Sequence, residues 1–235
     1  MFRRAGWLAF LAAGLGILPS VTQADDMRPT VIELYTSQGC SSCPPADAIL
    51  ADLAKRDGVI ALALHVDYWD YIGWKDTFGD PAFTHRQKSY ARAAGEKMVY
   101  TPQMVVNGTH MIVGVDAAGL VQLLKPADEA QTTAMQVERA GNRLTVRVST
   151  SAPLANGAVV HLVRFIPMAA VTIKRGENAG RTIDYANVVT SWQDVASWDG
   201  RSALKLTLDV PGALPAAVLV QEPGPGRILA AAVSP

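Results

Sequence analysis

Cysteine is scarce in this chain of 235 residues, which contains 2. That excludes a small fold stapled by several disulfides, and a chain of this length can bury a sufficient core without them. A surplus of charge is also missing, with 21 Lys and Arg against 21 Asp and Glu. Sequence-independent nucleic-acid binding needs a basic surface that releases counterions, so no nucleic-acid partner is expected. Charged residues make up 18% and apolar residues 49%, the opposite of the balance that keeps a chain disordered. The 19 Gly and 14 Pro follow no period, which excludes collagen-like repeats. Beyond the N-terminus there is no apolar run long enough to span a membrane.

At the N-terminus, Arg3 and Arg4 precede an apolar run from Ala5 to Leu18, then Pro19-Ser20 and the small-residue site Thr22-Gln23-Ala24. This is the order of a secretory signal peptide over residues 1–24, cleaved near Ala24. The run is shorter than the roughly 20 residues needed to cross a bilayer. The expected location is periplasmic or secreted, where disulfides persist, with no membrane span after cleavage.

Residues 27–126 alternate strand and helix. Thr30–Tyr35 is β-branched and aromatic, and reads as a strand. Ala46–Lys55 places Ile49, Leu50 and Leu53 on one helical face. Val59–Val66 is nearly all apolar, as in a central strand covered on both sides. Asp80-Pro81 starts a helix. Met104–Val106, Asn107-Gly108 and His110–Val113 form a hairpin signal, and Asp116 caps a last helix that stops at Pro126. The order β-α-β-α-β-β-α predicts an α/β domain around a mixed sheet. After a polar linker over Lys125–Thr133, helices vanish. Leu144–Val148 and Leu204–Val210 alternate with period two, and residues 133–235 read as an all-β, sandwich-like domain.

The chemistry concentrates at Cys40-Ser41-Ser42-Cys43, between a strand and a helix. Helix N–H groups favour a thiolate at the first cysteine. Cys40 is therefore expected to be the accessible attacking thiolate and Cys43 the shielded resolving thiol. Three other readings stand beside redox exchange. A zinc site lacks a second pair of ligands. A structural disulfide closing so small a ring constrains little of the unfolded chain. Two thiolates plus His65 are able to hold or deliver a soft metal such as copper. The redox reading needs no cofactor beyond the Cys40–Cys43 disulfide and implies protein thiols or disulfides as partners. Thr101-Pro102, before the hairpin, resembles the cis-proline loop of thioredoxin-like folds, which lies beside the cysteine pair and binds an extended substrate.

Three segments carry a wider resemblance: Glu33–Asp47 (ELYTSQGCSSCPPAD), His65–Asp76 (HVDYWDYIGWKD) and Tyr100–Gln103 (YTPQ). Together they resemble a secreted bacterial thioredoxin-like family that is catalogued only as a domain of unknown function. Arg175–Asn178 and Tyr185–Val189 also look like that family. The resemblance implies a thioredoxin-like fold and export. It supplies no substrate, and Gly39 stands where thioredoxin has Trp. Glu33 is the candidate buried proton acceptor for the pair, Pro102 a candidate catalytic-loop residue, and Thr101, Tyr68 and Trp69 a candidate substrate lip. His85 and His110 read as surface residues and His161 as a satisfied core histidine.

Overall fold

The computed structural model describes residues 28–125 and 132–234. The expected signal peptide, and all of the linker except its ends, lie outside the described residues. The elements run β1 (Thr30–Thr36), α1 (Pro44–Leu53), β2 (Val59–His65), α2 (Pro81–Ala93), β3 (Gln103–Val106), β4 (His110–Val113) and α3 (Ala117–Leu123). Then come β5 (Thr133–Ala140), β6 (Arg143–Thr150), β7 (Ala158–Thr172), β8 (Thr182–Trp198), β9 (Leu204–Asp209), β10 (Ala216–Gln221) and β11 (Ile228–Ser234). The first helix starts two residues earlier than the apolar spacing indicates, because Pro44 and Pro45 fit a first turn whose N–H groups have no helical partner. Asp80 caps α2 by accepting from the Ala82 N–H at 2.7 Å, and Asp116 caps α3 at the Gly119 N–H. The β3–β4 turn puts Asn107 and Gly108 at φ 50° and 78°, as a two-residue hairpin requires.

Eight strands form one mixed sheet in the order β11-β10-β7-β8-β2-β1-β3-β4, and β5-β6-β9 form a second, antiparallel sheet. β1 and β2 are parallel through seven residue pairs, and β3 lies antiparallel to β1. Alternation along the strands sorts the core. Ile32, Leu34, Ala61 and Ala63 face α1 and α3, meeting Ala46, Leu50 and Leu120. Val31, Tyr35, Leu62 and Leu64 turn to the other side, against Phe83 and Tyr90 of α2.

The β-rich region does have a core drawn from its own residues. Leu144, Val146 and Val148 of β6 pack on Val160, Leu162, Val218 and Val220, which gives two β layers. The layer of β7 and β10, however, is continuous with the sheet of the α/β region. Nothing in the local sequence pattern marks that junction. The reason is that β7 and β8 are much longer than the short strands expected, and β8 has a partner on each side. Val163, Phe165, Leu219 and Ile228 share a cluster with Tyr35, Leu64 and Phe83, so one core belongs to both regions. Within the described residues no helix is long and apolar enough to cross a membrane.

Because that cluster spans both regions, Leu219→Ala should destabilise the protein by about 2–5 kcal/mol. It should also shift the unfolding transitions seen by far-ultraviolet circular dichroism and by tryptophan fluorescence together. Two separated transitions, with one unmoved, would show that the regions unfold independently.

Candidate functional site

The turn after β1 carries the cysteine pair. Cys40 and Cys43 form a disulfide with S–S 2.11 Å and Cα–Cα 5.4 Å. Cys43 is the N-cap of α1, and the turn is closed by the Cys43 N–H donating to Cys40 O at 3.2 Å. Cys43 is completely buried and Cys40 is 3% exposed. The accessible Cys40 expected from its place at a turn is therefore corrected: both sulfur-bearing residues are covered in the disulfide form. The small remaining exposure belongs to Cys40, next to the exposed Ser41 and Ser42. Ser42 Oγ lies 3.4 Å from Cys40 Sγ.

Several expected residues meet around this loop. The Thr101–Pro102 bond is cis and Pro102 is buried. Gly114 brings Pro102 and α1 together, since a Cβ at 114 would lie 2.9 Å from Pro102 Cβ and 3.1 Å from Ala46 Cβ. Trp69 links the rest. Its Nε1 donates to Thr101 Oγ1 at 2.7 Å, while its backbone and Cβ crowd Gly39, where a side chain would have contacts of 3.2–3.3 Å. A side chain at position 39, where thioredoxin carries Trp, would press on the Trp69 Cβ and carbonyl and on Ile72 Cδ1, so glycine suits this loop. Tyr71, 79% exposed, stacks on Trp69. Tyr68, its ring 5.9 Å from that of Trp69, donates to Gln87 Oε1 at 3.1 Å, and burial raises its pKa to about 12.

Glu33 is not part of this cluster. Strand alternation puts it with Tyr35 on the α2 face of the sheet, whereas α1 covers the other. It is fully buried, accepts two hydrogen bonds from Arg86 at 2.7 and 2.8 Å, and accepts the hydroxyls of Tyr90 and Tyr35. Burial opposes its ionisation, but the Arg86 charge and these donors outweigh that and hold its pKa below the ordinary carboxylate value. A carboxylate so paired and so placed has no geometric claim on the cysteine proton. Arg86 also lies 3.7 Å over the Trp192 ring, beside a pocket of about 290 Å³ lined in part by Phe83, His161 and Asp194. That pocket belongs to the α2 face and not to the disulfide.

The buried acid beneath the cysteine turn is Asp47, one helical turn after Cys43. It accepts from Thr36 Oγ1 at 2.8 Å, and its Oδ2 is buried without a hydrogen-bond partner. Burial raises its pKa from 3.8 to about 7, against the opposing pull of His65 and the Thr36 hydrogen bond. The sequence held a signal for it: an acid on the same face of α1 as Ala46, Leu50 and Leu53.

His65 pairs in register with Thr36. Its Nδ1 is 2.8 Å from Asp76 Oδ2, Nε2 is buried and unpartnered, and its ring lies edge-on to Phe78 and Tyr185. Burial works against the Asp76 charge, but His65 and the N–H groups of Gln38 and Phe78 keep that carboxyl below its ordinary range. Among the described residues, no three His, Cys, Asp or Glu side chains are grouped to hold a metal. The alternative Cys40–Cys43–His65 ligand set is therefore not assembled in the disulfide form.

Sequence reasoning also missed the role of Asn178, at the tip of the β7–β8 hairpin. Its Nδ2 donates to Gln38 O at 3.0 Å and to Cys40 O at 2.9 Å. The only signal for it was the family-like stretch Arg175–Asn178, which gave no role.

Fold and site together define a class: an α/β protein with a buried disulfide at a strand-to-helix turn, braced by a β-rich extension of the same sheet. The family model described as "Protein of unknown function (DUF1223)" matches residues 31–221, and the chain belongs to that family. The match crosses both regions. A crystal structure of a protein from Agrobacterium tumefaciens is similar, with 32% identity, a TM-score of 0.76, and coverage of 89% of this chain and 95% of that one. No curated protein matches.

Two outcomes follow from the two acids. The folded protein keeps a proton on Asp47 that the unfolded chain has released between about pH 4 and 7, so stability falls as pH rises through that window and levels off above it. Asp47→Asn removes this loss. Its stability in urea, relative to wild type, should rise from pH 4 to pH 7, and a pH-independent difference would contradict the raised pKa. Arg86→Met leaves the Glu33 charge buried and unpaired. It should cost about 3–5 kcal/mol, most of which Glu33→Gln restores in the double variant.

Proposed function

We propose that this protein is an exported thiol–disulfide exchange protein that acts on protein thiols or disulfides through Cys40 and Cys43. In this reading β1-α1-β2-α2-β3-β4-α3 is a thioredoxin-like unit. The observation that carries the proposal is the disulfide itself, set at the N-terminus of α1, where helix N–H groups stabilise a thiolate. The strand order β2-β1-β3-β4, with β3 antiparallel, and Pro102 packed toward α1 across Gly114 support it. No metal or organic cofactor is needed, and an oxidising compartment outside the cytoplasm suits the chemistry.

In the dithiol form, the Cys40 thiolate attacks one sulfur of a partner disulfide. The new Cys40–partner bond forms, and the other partner sulfur leaves as a thiolate. Cys43 then gives its proton to Asp47 and attacks Cys40 Sγ. This closes the Cys40–Cys43 bond and releases the second partner sulfur. Two electrons pass from the protein to the partner, and the same steps reversed oxidise a partner dithiol. Asp47 fits the proton step because a carboxyl poised near neutral pH both takes and returns a proton. Tyr71, Trp69 and Thr101 form the lip against which a partner segment rests.

The near-complete burial of Cys40 favours a second reading, a non-catalytic interaction module whose disulfide is inert. One experiment separates the two. Cys43→Ser, expressed in the exporting cell, should accumulate mixed disulfides that disappear on reduction, whereas Cys40→Ser should not. No trapped species from either variant, together with a wild-type disulfide that resists dithiothreitol in the folded protein, would leave the inert module.

A further inference from the structure

We infer that Asn178 is a positioning residue for this exchange, supplied by the β-rich region to hold the Cys40 backbone and stabilise the Cys40 thiolate. The inference rests on the redox reading above and gives the long β7–β8 hairpin a part in it.

The hairpin tip spans residues 173–181 and is closed by the Gly180 N–H donating to Ile173 O at 2.8 Å. It is seated on the loops of the α/β region. Gly176 adopts φ +77°, and its Cα faces Trp74 and the Ile72 carbonyl, with a Cβ there limited to 3.3 and 3.4 Å from them. From this seat Asn178, 1% exposed, directs its amide at the cysteine loop. Both carbonyls that receive it belong to the turn that presents the disulfide. The orientation is fixed chemically. Asn178 Oδ1 accepts from Arg181 Nη1 at 3.0 Å, so a flipped amide would set oxygen against two carbonyls and NH₂ against a guanidinium.

The remaining partners of the loop show how fully it is held. Gln38 N–H donates to Asp76 Oδ2 at 2.7 Å, and its side chain takes the Trp74 indole N–H at 2.8 Å. Cys40 O receives two donors, the Cys43 N–H and Asn178 Nδ2.

Those two donors matter to the sulfur. A carbonyl oxygen is the negative end of a peptide dipole, and Cys40 O belongs to the residue whose sulfur must carry charge after reduction. Donors on that oxygen offset its negative pole and so lower the cost of the thiolate. They also keep the turn in place once the S–S bond no longer ties it, so the α1 N–H groups stay aligned on the sulfur. A thiolate stabilised in this way stabilises the dithiol form and makes the disulfide more oxidising.

The test uses the full mature chain. In a Cys43→Ser background, Asn178→Ala should raise the pH midpoint of Cys40 alkylation by iodoacetamide by about one unit. In the protein with both cysteines, Asn178→Ala should shift the equilibrium with glutathione about tenfold toward the disulfide, or ~30 mV. Arg181→Met, which releases the far side of the amide, should shift both in the same direction by less, and it serves if Asn178→Ala does not fold. A merely structural role predicts a lower Tm with alkylation midpoint and glutathione equilibrium unchanged, and that result overturns the inference. A wild-type disulfide that does not equilibrate with glutathione at all would instead overturn the redox reading, and the inference with it.

Discussion

The parallel pairing of β8 on β2 runs through Ala63 and Val188 alone, and the placement of the site depends on it. Asn187, at φ 48°, reinforces this seam by donating from Nδ2 to Ala61 O at 2.8 Å. A positive φ is uncommon outside glycine, and asparagine is among the residues that tolerate it best. Once β8 is docked, β7 follows it in antiparallel register and the hairpin tip is carried past the edge of the sheet to the cysteine turn. The seam works with the core shared by Val163, Phe165, Leu219, Tyr35 and Leu64 to fix the β-rich region relative to Cys40. With it, Asn178 reaches two backbone carbonyls of the turn.

Two buried acids show how the faces of one sheet impose opposite charge states. Glu33 and Asp47 are both removed from water, which by itself penalises a carboxylate. On the α2 side Glu33 meets a guanidinium and two phenols, so it remains charged. On the α1 side Asp47 receives one threonine hydroxyl and keeps a bare oxygen, so it holds its proton to near neutrality. The first arrangement is a brace between β1, α2 and β10, since Gln221 also binds Tyr90 and Arg86. The second leaves an acid able to change state beneath the disulfide. Environment, not residue type, decides which of the two carboxyls stays charged.

Local patterns carried much of this into the sequence. The apolar run of β2, the Asp80-Pro81 cap and the Asn107-Gly108 turn each depend on neighbours a few residues away, and each appears where its chemistry puts it. The cysteine pair and Thr101-Pro102 were legible for the same reason. Glu33 was misplaced because a strand position says which face a side chain takes only once the covering helices are known. Asp47 lay in the quoted motif, but its importance comes from what surrounds it in space. Asn178 and the long β7–β8 hairpin were hidden further, because their partners are remote in the chain. The accessibility of Cys40 failed likewise, since burial is set by the folded surroundings and not by a place at a turn.

The seam also orders events during synthesis. β1 and β2 can pair as soon as they emerge, but β8 lies far downstream, and until it arrives β2 presents an unpaired edge of alternating N–H and C=O groups. Such an edge invites pairing with other chains. The cysteine turn, complete by then in its covalent parts, is likewise without its amide clasp. Until that hairpin arrives, Ala63 on the β2 edge and the Gln38 and Cys40 carbonyls of the turn are without the partners that β8 and Asn178 bring.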